Sequence, residues 1–188
     1  MTSSVYDRSP ALAAASLVGI AAPTFGAGFQ FALSHLAIPP LLGKPQSFTT
    51  PVFAHIYRAG ALVAVPLSAL GFASASAAAY LSHGYPVTPY DSGSQDRLLS
   101  PRAAWIAAAV ACISIPIFTA VFMAGDIKPL LQRADQFAAG TRASDTVTAA
   151  DDQLVQGWLK SWRKFNFMRS SIMGTAAAFA AYAIFTAP

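Results

Sequence analysis

Four long stretches of this chain carry almost no charge, at 11–33, 59–81, 103–125 and 165–187. Each is long enough to cross bilayer hydrocarbon, which takes ~20 predominantly apolar residues in helix. The first three contain no Asp, Glu, Lys or Arg, and the fourth contains only Arg169. Of the 188 residues, 55% are hydrophobic and 11% charged. That balance is too apolar for an ordinary soluble domain. The expected fold class is all-α: an integral membrane four-helix bundle, one domain over 1–188, with a long, partly helical loop between spans three and four. The first stretch is too long for a signal-peptide core and only Arg8 precedes it, so it reads as a retained span. Pro23, Gly26 and Gly28 suggest a kink in it.

The net charge of +4 is read through topology, not as a sign of nucleic-acid binding. Four spans place both termini and the 82–102 connection on one side, with three basic residues, Arg8, Arg97 and Arg102. The 34–58 and 126–164 connections fall on the other side. They hold Lys44, Arg58, Lys128, Arg133, Arg142, Lys160, Arg163 and Lys164, and with Arg169 at the boundary the count is nine. The positive-inside rule puts the richer loops in the cytosol and the termini outside or in a lumen.

The 34–58 connection, with separated Pro sites in "IPPLLGKPQSFTTPVF", predicts an irregular loop. The 83–101 connection is polar and turn-rich. In the third connection, 126–140 is amphipathic, and "TRASDTVT" reads as a loop. Thr148 and Asp151 then fit a capping box that opens a helix running unbroken into span four. Leu154, Trp158, Leu159 and Trp162 are expected on one side of it. Trp158, Trp162 and Phe165 fit either an interfacial aromatic belt or a pocket lining. Small residues recur at helical spacing at Gly60, Ala64, Ser68, Gly71, Ala75 and Ala78, and at Ser170, Gly174, Ala178 and Ala181. Such stripes let helix backbones approach closely in lipid. Small-residue faces on spans one and three leave room for a homo-oligomer. The single Cys112 lies mid-span and reads as a packing residue.

Unusual polar residues gather at the span ends of the basic side. His35 ends span one, His55, Tyr57 and Arg58 open span two, Asp126 closes span three, and Asn166 and Arg169 open span four. Trp162, Asn166, Arg169 and Met173 share a helix face by spacing. An arginine inside a span costs ~2.5–3.5 kcal/mol at the bilayer centre on insertion scales. It is expected either to snorkel or to face inward against a carboxylate or anionic ligand, with Asp126 as the available carboxylate. His55, His35 and Asp126 are the candidate bases. Arg58 and Arg169 would stabilise an oxyanion, and Tyr57, Trp162, His35 and Met173 would line the pocket. There is no H-E-x-x-H, no C-x-x-C, no dinucleotide fingerprint, no G-x-S-x-G elbow and no P-loop.

Three stretches resemble the fungal anthrone oxygenase-like family of small four-span membrane proteins. They are the Gly-rich first span with "IPPLL" and "IYRAG", then "IPIFTAVFM", which holds Thr119 and Met123, and then W-x-x-x-N-x-x-R at Trp162, Asn166 and Arg169. The order and spacing cover nearly the whole chain. After Met123 this chain departs from the pattern, with Asp126 near an expected Asn. The resemblance implies oxidation of an anthrone-like aromatic polyketide to a quinone, in secondary metabolism. Molecular oxygen would be the co-substrate, with no flavin, haem or metal. It also implies an endoplasmic reticulum membrane and a lipophilic aromatic partner within the lipid bilayer. With that chemistry, Arg169, Asn166, His55, Arg58 and Asp126 are the residues expected in catalysis, and Trp162, Tyr57, His35, Thr119 and Met173 those expected in substrate binding. Two other readings stay open: a cofactor-free cyclase or isomerase of a lipophilic intermediate, and a non-catalytic membrane scaffold or lipid-binding protein.

Overall fold

A computed structural model describes residues 9–82, 99–141 and 147–187. His83, Arg8, Arg97, Arg142 and most of the 83–101 connection lie outside the described residues. The described residues form four helices and no strand. They are α1 (Pro10–Leu41), α2 (Gln46–Leu81), α3 (Pro101–Ala138) and α4 (Ala149–Phe185). α1, α2 and α3 are long and apolar enough to cross a membrane, which marks this as a membrane protein. α4 falls short of that measure. Arg169, Ser170, Ser171 and Thr175 dilute its apolar half.

Each helix starts where the sequence satisfies its first free N–H groups. Ser9 and Ser100 precede Pro10 and Pro101, and their hydroxyls accept from Leu12 N (3.3 Å) and Ala103 N (3.2 Å). Proline at the first helical position loses nothing there, because its missing N–H has no intrahelical partner. The Thr148–Asp151 capping box forms: Asp151 N donates to Thr148 Oγ1 at 3.2 Å and Thr148 N to Asp151 Oδ2 at 3.3 Å. α4 then runs unbroken through Phe185. α3 ends with Gly140 at φ +67°, where Thr141 N reaches Gln136 O and Gly140 N reaches Phe137 O. That left-handed closure favours glycine.

Two expectations about the connections are corrected. Residues 46–58 are helical rather than an irregular loop. The prolines do not oppose this. Pro39 and Pro40 form a 3₁₀ turn, and Pro45 precedes the helix. Thr49 and Thr50 hydroxyls bond back to Pro45 O (2.7 Å) and Gln46 O (2.9 Å) in the turn where Pro51 lacks a donor. Span three also does not stop at 125. It passes through a π-helical turn at Thr119–Met123, just after Pro116, into the amphipathic Ala124–Ala138 segment.

The chain divides into two compact units, and all four helices contribute to both. One takes the described residues within 1–27, 66–115 and 171–188. Its core is largely alanine, with Ala75, Ala78, Ala104, Ala108, Ala180 and Ala183 around Trp105 and Leu12. Gly19 leaves room for the indole: a Cβ there would lie 2.9 Å from Trp105 Cζ3. Cys112 packs with Ile115, Met173 and Ala176. The stripe from Gly60 to Ala78 on α2 is buried as expected. On α4 Ser170 is buried as expected, but the buried stripe runs through Val155, Leu159, Trp162, Asn166, Arg169, Met173, Ala176, Ala180 and Ala183. Ala178 and Leu154 are exposed, and Gly174 and Ala181 only half-buried. In a segment this rich in alanine, small-residue spacing matches several faces, and the large residues Trp162 and Met173 decide which one turns inward.

The other unit takes residues 28–65 and 116–170. Its core mixes aliphatic and aromatic residues, with Ile38, Phe53, Met123, Leu130, Leu159 and Trp162 fully buried.

Close helix approach at Gly71 generates a test. A Cβ there would stand 2.8 Å from Cys112 Sγ and 3.6 Å from Pro23 Cδ, whereas nothing lies within 4 Å at Gly174. Gly71→Leu is expected to cost about 1–3 kcal/mol through overpacking. Gly174→Ala is expected to be neutral or to stabilise by up to about 1 kcal/mol. Thermal unfolding in detergent micelles measures both.

Candidate active site

The second unit holds a polar layer inside its apolar core. Asn166 is 1% exposed, Arg169 8% and Gln30 1%. Asn166 Nδ2 donates to Gln30 O at 2.8 Å and to Ser34 Oγ at 2.9 Å. Ser34 Oγ donates to Gln30 O at 3.0 Å. Asn166 therefore ties α4 to α1, and its oxygen is left for Arg169 Nη1, 3.5 Å away. Nη1 also reaches Met123 Sδ at 3.9 Å. The π-helical turn of α3 presents that sulfur, with Met123 fully buried.

No carboxylate among the described residues pairs with Arg169, and the expected ion pair with Asp126 does not form. Asp126 is half-buried on the segment that follows the π turn. Arg169 Nε is enclosed without an acceptor, and so is Trp162 Nε1. Trp162 is 2% exposed and stands edge-on to Phe53, with ring centroids 5.3 Å apart at 89°. It is a core residue rather than part of a belt. Tyr57, half-buried, stacks on Phe53 at 6.1 Å and is close enough to interact electrostatically with Arg169. Buried N–H groups without acceptors are costly, roughly 1–3 kcal/mol each. Trp162 Nε1 and Arg169 Nε, the latter part of the guanidinium itself, are two such groups on the same buried face of α4.

Several residues read as site members lie elsewhere. His55 and Arg58 are on the exposed face of α2, with Ala59 and Leu62, opposite buried Phe53, Ala54 and Gly60. Arg58 pairs with Asp135 at 2.8 Å, both side chains more than half exposed. The reason is helix phase: once α2 starts at Gln46, 55 and 58 turn away from the face that carries 53, 57 and 60. His35 is exposed and stacks on Phe31 at 4.1 Å, with Phe167 edge-on at 5.6 Å. Thr119 opens the π turn, half-buried. Met173 belongs to the first unit, where its Cε fills the space a Cβ at Gly26 would need.

Gln30 and Ser34 were not singled out by sequence, and Met123 was marked only as the end of the "IPIFTAVFM" stretch. A signal for the first two exists. They are polar residues four apart in an otherwise apolar span, on the stripe of Leu12, Ser16, Gly19, Pro23 and Gly26. Looking only at span ends passes over them.

A second polar cluster is structural. Arg133 donates to Gln46 Oε1 and to Asp151 Oδ1 (3.1 Å) and lies over the Trp158 ring at 5.2 Å. Gln46 N donates to Asp152 Oδ1 at 2.9 Å. These contacts bind the starts of α2 and α4 to the end of α3. An open groove of about 800 Å³ lies nearby, between residues 42–45 and α4 from Asp152 to Lys160. Its Gln156 amide is committed to Gly43 N and Lys44 O. Among the described residues no three His, Cys, Asp or Glu gather into a ligand set.

A family model described as anthrone oxygenase matches residues 53–179, more than half of the chain. This chain belongs to the anthrone oxygenase family. The family match includes Tyr57, the π turn and the Trp162–Asn166–Arg169 face, and it leaves out Gln30 and Ser34 on α1. It is narrower than the near-complete coverage expected from sequence. No curated protein and no solved structure matches the chain.

The tie between Asn166 and α1 is testable. Asn166→Ala is expected to destabilise by about 1–3 kcal/mol, since it strips donors from a buried carbonyl and frees Arg169. Ser34→Ala is expected to cost less, roughly 0.6 kcal/mol, as single interhelical bonds do in membranes. Unfolding in detergent with both variants checks the order.

Proposed function

We propose that this protein is a membrane-embedded oxygenase that converts an anthrone-like aromatic ketone and molecular oxygen into a quinone and water. The observation that carries this is the buried Arg169, which has no carboxylate partner among the described residues and whose Nε, like Trp162 Nε1 on the same face of α4, has no acceptor. Family membership supplies the reaction class.

In this reading the ring methylene next to the aromatic system loses a proton. Its electron pair delocalises onto the ketone oxygen, which Arg169 and Trp162 hold. Donors already fixed in a low-dielectric site stabilise such charge far better than water does. Asp126, half-buried on the segment after the π turn, takes the proton on its carboxylate, and Tyr57 helps to hold the substrate. The electron-rich anion passes one electron to oxygen, and the two radicals couple to a carbon-bound peroxide, which takes the proton back from the base. Loss of water from that peroxide breaks the remaining C–H bond and leaves the second carbonyl. One oxygen atom ends in the quinone and the other in water, so the four-electron oxidation balances. Neither step calls for a resident cofactor or metal. Asn166 acts through Arg169, as the residue that orients it.

We further propose that α4 crosses the membrane as the fourth span. The end rich in Lys44, Lys128, Arg133, Lys160, Arg163 and Lys164 would face the cytosol, the termini the lumen of the endoplasmic reticulum. The substrate would be a lipophilic polyketide drawn from the bilayer.

Oxygen uptake by purified protein in detergent, given 9(10H)-anthracenone with a metal chelator present, tests the reaction. Arg169→Ala and Arg169→Met are expected to lower kcat by about 10²–10³-fold. Asp126→Asn is expected to lower it by about 10²-fold. His55→Ala and Arg58→Ala, on the far face of α2, are expected to stay near wild type. No uptake by folded wild-type protein, or full activity in Arg169→Ala, would overturn the assignment.

A further inference from the structure

Gln30 is buried at the polar layer, yet neither Nε2 nor Oε1 of its side chain has a partner in the protein. Its main-chain carbonyl already serves the layer by accepting from Asn166 and Ser34. The side-chain amide is therefore a separate, unspent group. Leaving such an amide unpaired in an apolar interior is costly, and an aliphatic residue would fill the same stripe of α1 without that cost. The remaining orphans of this unit are Trp162 Nε1, Arg169 Nε and Gln46 Nε2, all donors. Among the described residues of the unit, Gln30 Oε1 is the buried acceptor left without a donor. A ketone or enolate oxygen suits the donors but cannot satisfy Oε1. Only a group that brings its own proton does so.

We propose that Gln30 reads a phenolic hydroxyl on the aromatic substrate, with Oε1 accepting the phenol proton or Nε2 donating to the phenol oxygen. Arg169 and Trp162 take the ketone oxygen. This rests on the oxygenase reading of the same site and adds a specificity residue to it, from a helix segment outside the 53–179 family match. Gln30 then separates hydroxylated from unhydroxylated ring systems, because a site built around a hydrogen bond rejects the ligand that leaves it unmade.

Binding of 2-hydroxyanthraquinone and of anthraquinone to the detergent-solubilised full chain, followed by tryptophan quenching, provides the test, together with ligand-free melting. Wild type is expected to favour the hydroxylated quinone by roughly tenfold or more. In Gln30→Leu that ratio is expected to fall to about one. Ligand-free Gln30→Leu is expected to melt at or above wild type, since it removes an unpaired buried amide. Gln30→Met, unbranched and closer in length, carries the same expectations should the leucine variant fail to fold. A hydroxyl preference that survives in the variants, or that wild type lacks, would overturn the proposal. So would ligand-free variants that melt well below wild type, because the amide would then be a structural partner. If folded wild type binds neither quinone, the oxygenase reading of the site falls first and takes this inference with it.

Discussion

A guanidinium enclosed with no carboxylate partner among the described residues is the constraint around which the second unit is arranged. Burying an ion usually demands a partner of opposite sign, since desolvation costs several kcal/mol even after relaxation. Arg169 has neutral partners instead: an amide oxygen and a thioether. Both are themselves immobilised, Asn166 by α1 and Met123 by the turn of α3. Charge is thus held in place by groups that do not cancel it. A carboxylate in the same position would cancel that charge and lower the cost of its burial.

The two units divide the work by composition. The alanine core of the first packs helix backbones closely, with few side-chain degrees of freedom to lose on folding. The second tolerates polar atoms because large aromatic side chains, Phe53 and Trp162 among them, surround the layer and exclude water. Arg133, Gln46 and Asp151 then fasten three helix ends. That cluster explains why a long connection between α3 and α4 is compatible with a fixed Arg169.

Much of this was legible in sequence, for identifiable reasons. Charge-free runs located the apolar helices. The Trp162, Asn166 and Arg169 face followed from three- and four-residue spacing, which depends only on local helix geometry. Thr148 and Asp151 announced the start of α4. What failed depended on phase or on distance. His55 and Arg58 stand at the right depth in sequence but on the wrong side, since the register of α2 is set upstream at Pro45 and Gln46. Asp126 has the right charge, yet the extra residue of the π turn leaves it on the flank of the buried face. Gln30 and Ser34 lie on the small-residue stripe of α1, a signal that attention to span ends alone passes over. Only α4 packing against α1 reveals what they do.

The π-helical turn carries a further consequence. A π turn holds one residue more than an α-helix of the same length, so everything beyond it is rotated relative to what lies before. Thr119–Met123 thus works as a phase joint: the apolar, Pro116-bearing part of α3 and the amphipathic Ala124–Ala138 part are each free to obey their own periodicity. Losing a single residue from the joint would leave every contact before Pro116 intact while turning Met123 off Arg169 and Leu130 off the core. Within such a family, chain length across these few positions would have to be kept as strictly as any side chain.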